Sequence, residues 1–425
     1  MSRDFEAVDY FRDEELVNDP QPYYDYLRSK CPVQREPHHD VFMITGYDEA
    51  SAAFSDAESF SACIAPSGPF PGFPVPLDGV DDATELIAQH RGELPLNKTL
   101  MTMDPPEHTR HRGLVRQHFT PRRVAETEEA MASLADQEID RFIGNGVVDL
   151  MHEFSAPYAL MNICTLLGVP EEDWPEFRVE MLGEHRDRGL GTIKGEIRKD
   201  AHNFVHDRFT RYIEDRRREP REDVLTRIAT TKFPDGSTPS VDEVMHLASA
   251  LFIGGSGTTA HLLGSAFLRI AEDPALQERL RSERNLIPNF IEEVLRLEGP
   301  IKGTFRLAKS GTDVGGVEIP TGSTVMLIAA AASRDPRHFD NPHELDPDRE
   351  NARQHRSFGY GPHVCPGAAL ARAEARFAIE RLLDRLDQIE INEAIHGPVG
   401  ARRFEYLPTY QVRGLQELHL TFKAV

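Results

Sequence analysis

Cysteine is scarce in this chain of 425 residues: Cys31, Cys63, Cys164 and Cys365 lie far apart, with no CxxC pair. That excludes a disulfide framework and fits a reducing compartment. No run of about 18 apolar residues occurs, so no membrane-spanning helix is expected. The opening Met1-Ser2-Arg3-Asp4-Phe5-Glu6 is charged and lacks the apolar core of a secretory signal, which points to the cytoplasm. Serine/glycine linkers, low-complexity tracts and repeats are absent too. The length would allow two or three domains, but we expect one, spanning residues 1–425. Positive charge is in deficit, 48 basic against 70 acidic residues, and the net −22 argues against nucleic acid as a partner. Hydrophobic residues make up 40%, enough for a sizeable core.

What is present is organised around Phe358-Gly359-Tyr360-Gly361-Pro362-His363-Val364-Cys365-Pro366-Gly367, a glycine- and proline-rich loop carrying one thiol. A helix from Ala368 to about Asp387 follows. Glycines here permit turns with φ > 0, and Pro366 with Gly367 ends the loop. A thiol at a helix N-terminus meets free N–H groups and the positive end of the dipole, which favour the thiolate, the form that ligates iron. A lone cysteine would more simply be a buried inert thiol, and a lone His363 a loop histidine. The weight rests on the whole pattern F-G-x-G-x-H-x-C-x-G.

Upstream, Tyr23 to Ser29 predicts a short helix, Val33 to Ile44 has strand character and Tyr47 to Phe54 is helical. Ser59 to about Leu100 predicts a long loop, in which Pro66, Pro69, Pro71, Pro74 and Pro76 alternate with Phe70, Phe73, Val75 and Leu77. It is too apolar for a solvated linker. A helix then opens at Asp104-Pro105-Pro106-Glu107, with Asp104 as N-cap, Pro105 in the first turn and Glu107 completing a capping box. His108 and Arg112 share one face of it. Helical periodicity runs from Ala125 to Arg218, broken near Asn145-Gly146 and Gly168-Val169-Pro170, with a glycine-rich weak point from Gly183 to Gly195. The longest helical pattern, Val241 to Asp273, contains Ile253-Gly254-Gly255-Ser256-Gly257-Thr258-Thr259. Interior glycines cost roughly 1 kcal/mol each against alanine, which implies close helix packing or a local opening of the ladder. Pro288 opens a further helix carrying Glu293 and Arg296, and strand patterns follow.

Taken together these segments resemble the cytochrome P450 family. Five motifs stand in family order over essentially the whole chain: the His/Arg helix, the glycine-threonine helix, ExxR, Leu345-Asp346-Pro347-Asp348-Arg349 and the cysteine loop. The resemblance implies a mainly α fold with small β-sheets, a haem lying between the long central helix (about 241–273) and the helix after Cys365. Cys365 would be the proximal ligand of haem b (iron protoporphyrin IX), its sulfur favouring O–O cleavage and tuned by nearby N–H groups. Phe358 and Gly367 would shape the proximal side, and His108, Arg112, Arg306 and His363 would hold the propionates, arginine through its planar fork. Gly254 would lie beside the haem and Thr258 at the oxygen-activating position. Where the family carries a proton-relaying acid, this chain has Gly257, so the proton must come through water or another side chain. Glu293, Arg296 and Arg349 match a structural Glu-Arg-Arg triad. The loop bearing Phe70 and Phe73 would cover the substrate, with Ile253, Gly254, Ile301, Lys302 and the hairpin tip at Gln411 and Val412 completing the pocket. Lys302 either snorkels away or meets a polar end of the substrate.

The implied function is a haem-thiolate monooxygenase that inserts one atom of O₂ into a hydrophobic small molecule, a terpenoid, steroid, fatty acid or aromatic compound. Electrons would come from a separate ferredoxin and ferredoxin reductase, docking near Arg110, Arg116, Arg122, Arg123, Arg353 and Arg356. Other readings are a peroxide-driven peroxygenase or haem-thiolate isomerase, favoured by Gly257 and opposed by Thr258, and a non-catalytic haem sensor or carrier. A cysteine hydrolase built on Cys365 and His363 leaves Pro366 and the glycine turns unexplained.

Overall fold

The computed structural model describes residues 4–183, 190–193 and 200–425; most of the Gly183 to Gly195 stretch lies outside them. The chain is laid out around a helix of 32 residues, Val241–Glu272. It begins on a reciprocal capping box, the Glu243 N–H donating to the Ser240 hydroxyl and the Ser240 N–H to the Glu243 carboxylate, so two of its orphan donors are satisfied. Its apolar residues, among them Leu247, Phe252, Leu263 and Phe267, are buried against the helices Ala156–Leu167, Asp200–Arg218, Ile287–Glu298 and Ala368–Arg385.

The helix runs unbroken through its glycines, so of the two alternatives the local opening of the ladder does not occur. Close packing explains only Gly255, where a Cβ would stand 3.1 Å from Ile163 Cδ1; at Gly254 and Gly257 it would meet nothing within 4 Å.

Small sheets flank the helices. Strands β1 (Val33–Arg35), β2 (Phe42–Ile44), β3 (Phe60–Ser61), β5 (Thr304–Ala308) and β8 (Thr324–Leu327) form one sheet in the order β1-β2-β8-β5-β3, with β2 and β8 parallel. Strands β4 (Val147–Asp149), β9 (Leu386–Ile391) and β10 (His419–Ala424) form a second, and β6 (Thr312–Val314) with β7 (Val317–Ile319) a hairpin. Arg306 pairs with Val325 on the first sheet, which fixes where its side chain leaves the strand.

Some expectations change. Val33 to Ile44 has its strand character as two strands of a hairpin. The Ser59 to Leu100 stretch is not a bare loop, since it holds β3 and a helix at Thr84–His90. The next helix starts at Glu107 with Pro106 as N-cap and no side-chain cap. Asp104 is drawn away because its carboxylate accepts from the Ser61 hydroxyl and the Ala62 N–H, anchoring β3. No helix among the described residues is long and apolar enough to cross a membrane.

The break at Gly168 depends on a close approach. With φ of 87° it ends the Ala156–Leu167 helix, and a Cβ would stand 2.4 Å from Asp223 Cβ. Asp223 caps Val224–Thr230 and pairs with Arg216, which also donates to the Gly168 carbonyl. Gly168→Ala combines left-handed strain with displacement of that cap. It should cost about 2–3 kcal/mol, read as a lower midpoint of chemical unfolding; an unchanged midpoint would show that the junction yields freely.

Candidate active site

A cavity of about 1440 Å³ opens between the middle of the long helix, the cysteine loop, the Glu107–Arg116 helix and the chain around β5. Cys365, Pro366 and Gly367 form part of its wall. The Cys365 N–H donates to the Phe358 carbonyl at 2.8 Å, closing the loop on itself. Gly361, with φ of 68°, lies so close to the Tyr47–Ser55 helix that a Cβ would sit 2.7 Å from the Phe54 carbonyl oxygen. Burial pushes the Cys365 thiol up, against the N–H groups of Gly367 and Ala368 and the charges of Arg112 and Arg372. The N–H groups at the helix start favour the thiolate as expected, but burial outweighs them. A metal cation at sulfur would deliver the thiolate, because coordination deprotonates a thiol outright.

At one edge of the cavity the basic groups His108, Arg112, Arg306 and His363 converge. His108 is 2% exposed, its Nε2 has no hydrogen-bond partner, and its ring lies 4.1 Å from that of His363. Burial, and then the charge of Arg112, hold His108 down to about 4; burial, then Arg306, His108 and Arg112, hold His363 down to about 2. Burial lowers even Arg306 to about 10. Arg112 donates to the Val364 carbonyl. Asp104 is the acid that offsets this cluster, and it is already engaged by Ser61 and Ala62. Such a site is short of negative charge. A haem fits it: two propionates would answer the basic edge and the orphaned His108 nitrogen, the thiol would meet the iron, and Gly254 and Gly257 leave open the space a side chain would fill.

Thr258 sends its hydroxyl to the Gly254 carbonyl at 2.7 Å. No carboxylate stands beside it at Gly257. Glu374, on the helix that follows Cys365, is 1% exposed with both oxygens lacking a well-formed hydrogen bond; the buried Thr259 hydroxyl is the polar group that faces it. Burial raises this carboxyl to about 8, so it is protonated at neutral pH. Sequence reasoning passed over Glu374 because a glutamate among Ala, Arg and Phe on a helix reads as solvated. Only the packing of two distant helices shows it buried.

The cysteine loop is held from behind. Glu293 accepts from Arg296 at 2.6 and 2.9 Å, from Arg349 at 3.1 Å and from the Asp346 N–H at 3.0 Å. Arg296 and Arg349 spend their other donors on the carbonyls of Ser333, Pro342, Glu344, Asp340 and Asn341. The neighbouring Glu292, missed in the sequence because it looks like any helix glutamate, binds His355 at 3.0 Å and Arg372 at 2.6 Å. Arg372 in turn lies 4.5 Å over the Phe358 ring, which lines the cavity.

On the substrate side, Ile253, Gly254, Ile301, Gln411 and Val412 line the cavity, and Phe70, Phe73 and Lys302 do not. Phe70 packs edge-on against Phe11 and His39, and Phe73 against His90; the aromatic loop closes on the N-terminal layer. From that region the cavity receives Ala65 and residues 96–101 instead. Lys302 turns away, donating to the carbonyls of Val17 and Thr409 at 2.9 and 2.8 Å. Gln411 donates to the Ala65 carbonyl and leaves its Oε1 unpartnered. Arg116, Arg122, Arg123 and Arg353 are exposed. Arg110 is occupied by Asp235 and the Phe233 ring, and Arg356 is buried over the rings of Tyr47 and Tyr360. Arg123 pairs with Glu126 and Arg353 with Glu292 as well, so of the six only Arg116 and Arg122 are both exposed and without an ion pair among the described residues.

The Cytochrome P450 family profile matches residues 188–393. The chain is 34% identical to 6-deoxyerythronolide B hydroxylase of Saccharopolyspora erythraea, over 87% of this chain and 89% of that one. It is 31% identical to cytochrome P450 monooxygenase PikC of Streptomyces venezuelae, over 96% and 92%. The structure of substrate-free cytochrome P450 CYP150A6 of Mycobacterium marinum superimposes with a TM-score of 0.93 at 46% identity, covering 99% of this chain and 100% of that one. The chain belongs to the cytochrome P450 family. It is an oxidoreductase of the monooxygenase type, mainly α with small sheets.

Glu374 has a pH signature. Its folded pKa, about 8, stands above the ordinary 4.5. Below pH 4.5 both folded and unfolded states hold the proton; as pH rises toward 8 only the unfolded state releases it, so folding loses at most about 1.4 kcal/mol per unit. Glu374→Gln should flatten the fall of stability between those limits and raise the unfolding midpoint at pH 8. Parallel pH profiles for the two proteins would mean that the carboxyl is already ionised in the fold.

Proposed function

We propose that this enzyme hydroxylates a large, mostly apolar molecule carrying a hydrogen-bond donor, in the cytoplasm, with haem b on Cys365 and electrons from a ferredoxin and its reductase. The observation that carries the reading is the meeting, in one apolar-walled cavity, of the Cys365 thiol with four basic groups short of an acid partner. When bound, the haem supplies the O₂ activation that places one oxygen atom in the substrate and the other in water.

The chain's residues do the rest. His108, Arg112, Arg306 and His363 bind and orient the propionates, and the buried Glu293 and Glu292 pairs keep the cysteine loop from relaxing when the metal is lost. Thr258 commits its own proton to the Gly254 carbonyl, so it presents acceptor lone pairs to the cavity and can hold a water there. Glu374 stores a proton at neutral pH on the far side of Thr259, one residue along the same helix. That store takes the part of the acid missing at Gly257, and the open space at Gly257 leaves room for water to complete the path.

The substrate side supports a bulky apolar ligand. Ile253, Ile301 and Val412 offer aliphatic contact, and the unpartnered Gln411 Oε1 would accept from a hydroxyl or N–H of the substrate, since a buried acceptor left unpaired is costly. The similar 6-deoxyerythronolide B hydroxylase and a vitamin D(3) 25-hydroxylase of Pseudonocardia autotrophica, 31% identical, are named as hydroxylases. Exposed Arg116 and Arg122 favour an acidic electron carrier on an otherwise acidic protein. The alternative of a peroxide-driven peroxygenase rests on the same Gly257 and is separated by the turnover test below.

Reduced protein under CO should show the red-shifted Soret band of thiolate ligation, lost in Cys365→Ala and kept when Cys31, Cys63 or Cys164 is replaced. A CO spectrum of the histidine-ligated type in folded protein would refute the assignment.

In turnover with ferredoxin and reductase, Thr258→Ala should divert at least about half of the reducing equivalents to peroxide, because the hydroxyl no longer orders water. Gly257→Asp should raise product formed per NAD(P)H. Equal coupling in wild type and Thr258→Ala would remove Thr258 from the proton path, and turnover sustained by peroxide but by no ferredoxin would establish the peroxygenase.

A further inference from the structure

A second, smaller chamber of about 200 Å³ lies behind the wall of the active-site cavity. The wall is thin. Ile301 and Val412 face the large cavity and pair with each other as an isolated bridge, while the adjoining Lys302 and Arg413 face the small one. Hydrogen bonds from Lys302 N to the Gln411 carbonyl (2.7 Å) and from Arg413 N to the Pro300 carbonyl (2.8 Å) knit the two segments together.

The chamber's lining is markedly basic. Arg269, Arg334, Arg413 and Lys302 stand against Glu298 and Asp19. One carboxylate, Glu298, is shared by three guanidiniums: Arg269 at 2.5 Å, Arg413 at 2.5 Å and Arg334 at 3.6 Å. Glu272, outside the chamber, takes a further contact from Arg269 at 3.2 Å. Lys302 is 1% exposed and meets only main-chain carbonyls, so burial drives its ammonium strongly toward the neutral form. Nothing within the lining balances it.

Buried polar atoms without partners gather here too. Among the described residues, the buried atoms that lack a hydrogen bond include Arg334 Nε, Arg269 Nε and Gln21 Oε1, and all three residues line this one chamber. Arg334 is 8% exposed, so its Nε–H has no access to bulk water. The Gln21 amide can present its N–H₂ instead by turning over. Gln21 is also the first residue of the helix Gln21–Lys30, whose N-terminus has no side-chain cap and adds the positive end of a dipole. An orphaned nitrogen in the large cavity, His108 Nε2, answers to the propionates; the orphans of the small chamber call for a ligand in the same way.

We propose that this chamber is a binding site for a small inorganic anion, a halide or a compact oxyanion, held by Arg334 Nε–H, Arg269 Nε–H and the Gln21 amide beside Lys302. The anion supplies counter-charge to Arg334, whose one acidic partner, Glu298, is shared and 3.6 Å away, and favours the protonated form of Lys302 beside it. It thereby braces the wall whose other face carries Ile301, Gln411 and Val412. The link to substrate rests on the function proposed above, whereas the anion site does not.

Crystals of the holoenzyme soaked in bromide should show an anomalous peak within hydrogen-bonding distance of Arg334 Nε. In solution, chloride or phosphate should raise the unfolding temperature by about 1–2 °C over gluconate at equal ionic strength once about tenfold above its dissociation constant. A response to chloride alone identifies a halide, and a response to phosphate that competes with chloride identifies an oxyanion.

Arg334→Lys keeps the charge but removes the Nε donor and should abolish the difference between salts. Gln21→Leu, at the rim of the chamber, should weaken anion affinity roughly tenfold if the arginine variant fails to fold. Water alone in the chamber, with identical unfolding temperatures in all three salts, would overturn the proposal. With the anion bound, the substrate-induced Soret shift should saturate at lower substrate concentration than in gluconate. If saturation is unchanged while the anomalous peak is present, the link to substrate fails and the anion site stands.

Discussion

Everything at the active site hangs on one buried carboxylate. Glu293 lies between Arg296 and Arg349 with no access to water, and each arginine spends its remaining donors on main-chain carbonyls between Ser333 and Glu344. An ion pair in such a place is costly to desolvate, and removing one partner leaves a buried charge worth about 3–5 kcal/mol of destabilisation. What the network secures is geometry. The irregular chain after Ala332 makes local, turn-type backbone hydrogen bonds, and the two guanidinium forks tie those turns together. That chain delivers the cysteine loop to the cavity at a set height.

Burial governs the cavity in the same way. Its basic edge, its thiol and the Glu374 carboxyl behind Thr259 are all groups whose charged form burial disfavours. A bound haem would resolve two of the three: its carboxylates would meet the basic edge and its metal the sulfur. Glu374 is left as the unresolved one, and a group that keeps its proton at neutral pH beside the oxygen-side helix is suited to giving it up there. The smaller chamber behind the Ile301–Val412 wall shows the same imbalance of buried positive charge, with the shared Glu298 carboxylate to answer three guanidiniums.

Much of this was legible in the chain. The thiol loop, the His/Arg pair, the glycine-threonine run and ExxR are local patterns in which residue type and spacing set backbone conformation and chemistry together. Cys365, His108, His363 and Thr258 accordingly line the cavity as expected, and the long helix ends within a residue of its predicted limits. The N-terminus of the Glu107 helix was misjudged because Asp104, a good cap by type, found a stronger use anchoring β3.

Tertiary structure alone decided the rest, and for one physical reason: burial is a property of what packs on a residue, not of the residue. Phe70 and Phe73 are as apolar as any pocket residue, yet they close on Phe11, His39 and His90 rather than on the substrate cavity. Lys302 looks like a surface lysine and is enclosed. Glu374 and Glu292 are indistinguishable in sequence from solvated helix glutamates, but one keeps its proton and the other is held ionised by His355 and Arg372. The chain by itself determined the family and the order of the elements, and it singled out the thiol that lines the cavity. Which charges lost their water, and which therefore act, was determined only when distant helices met.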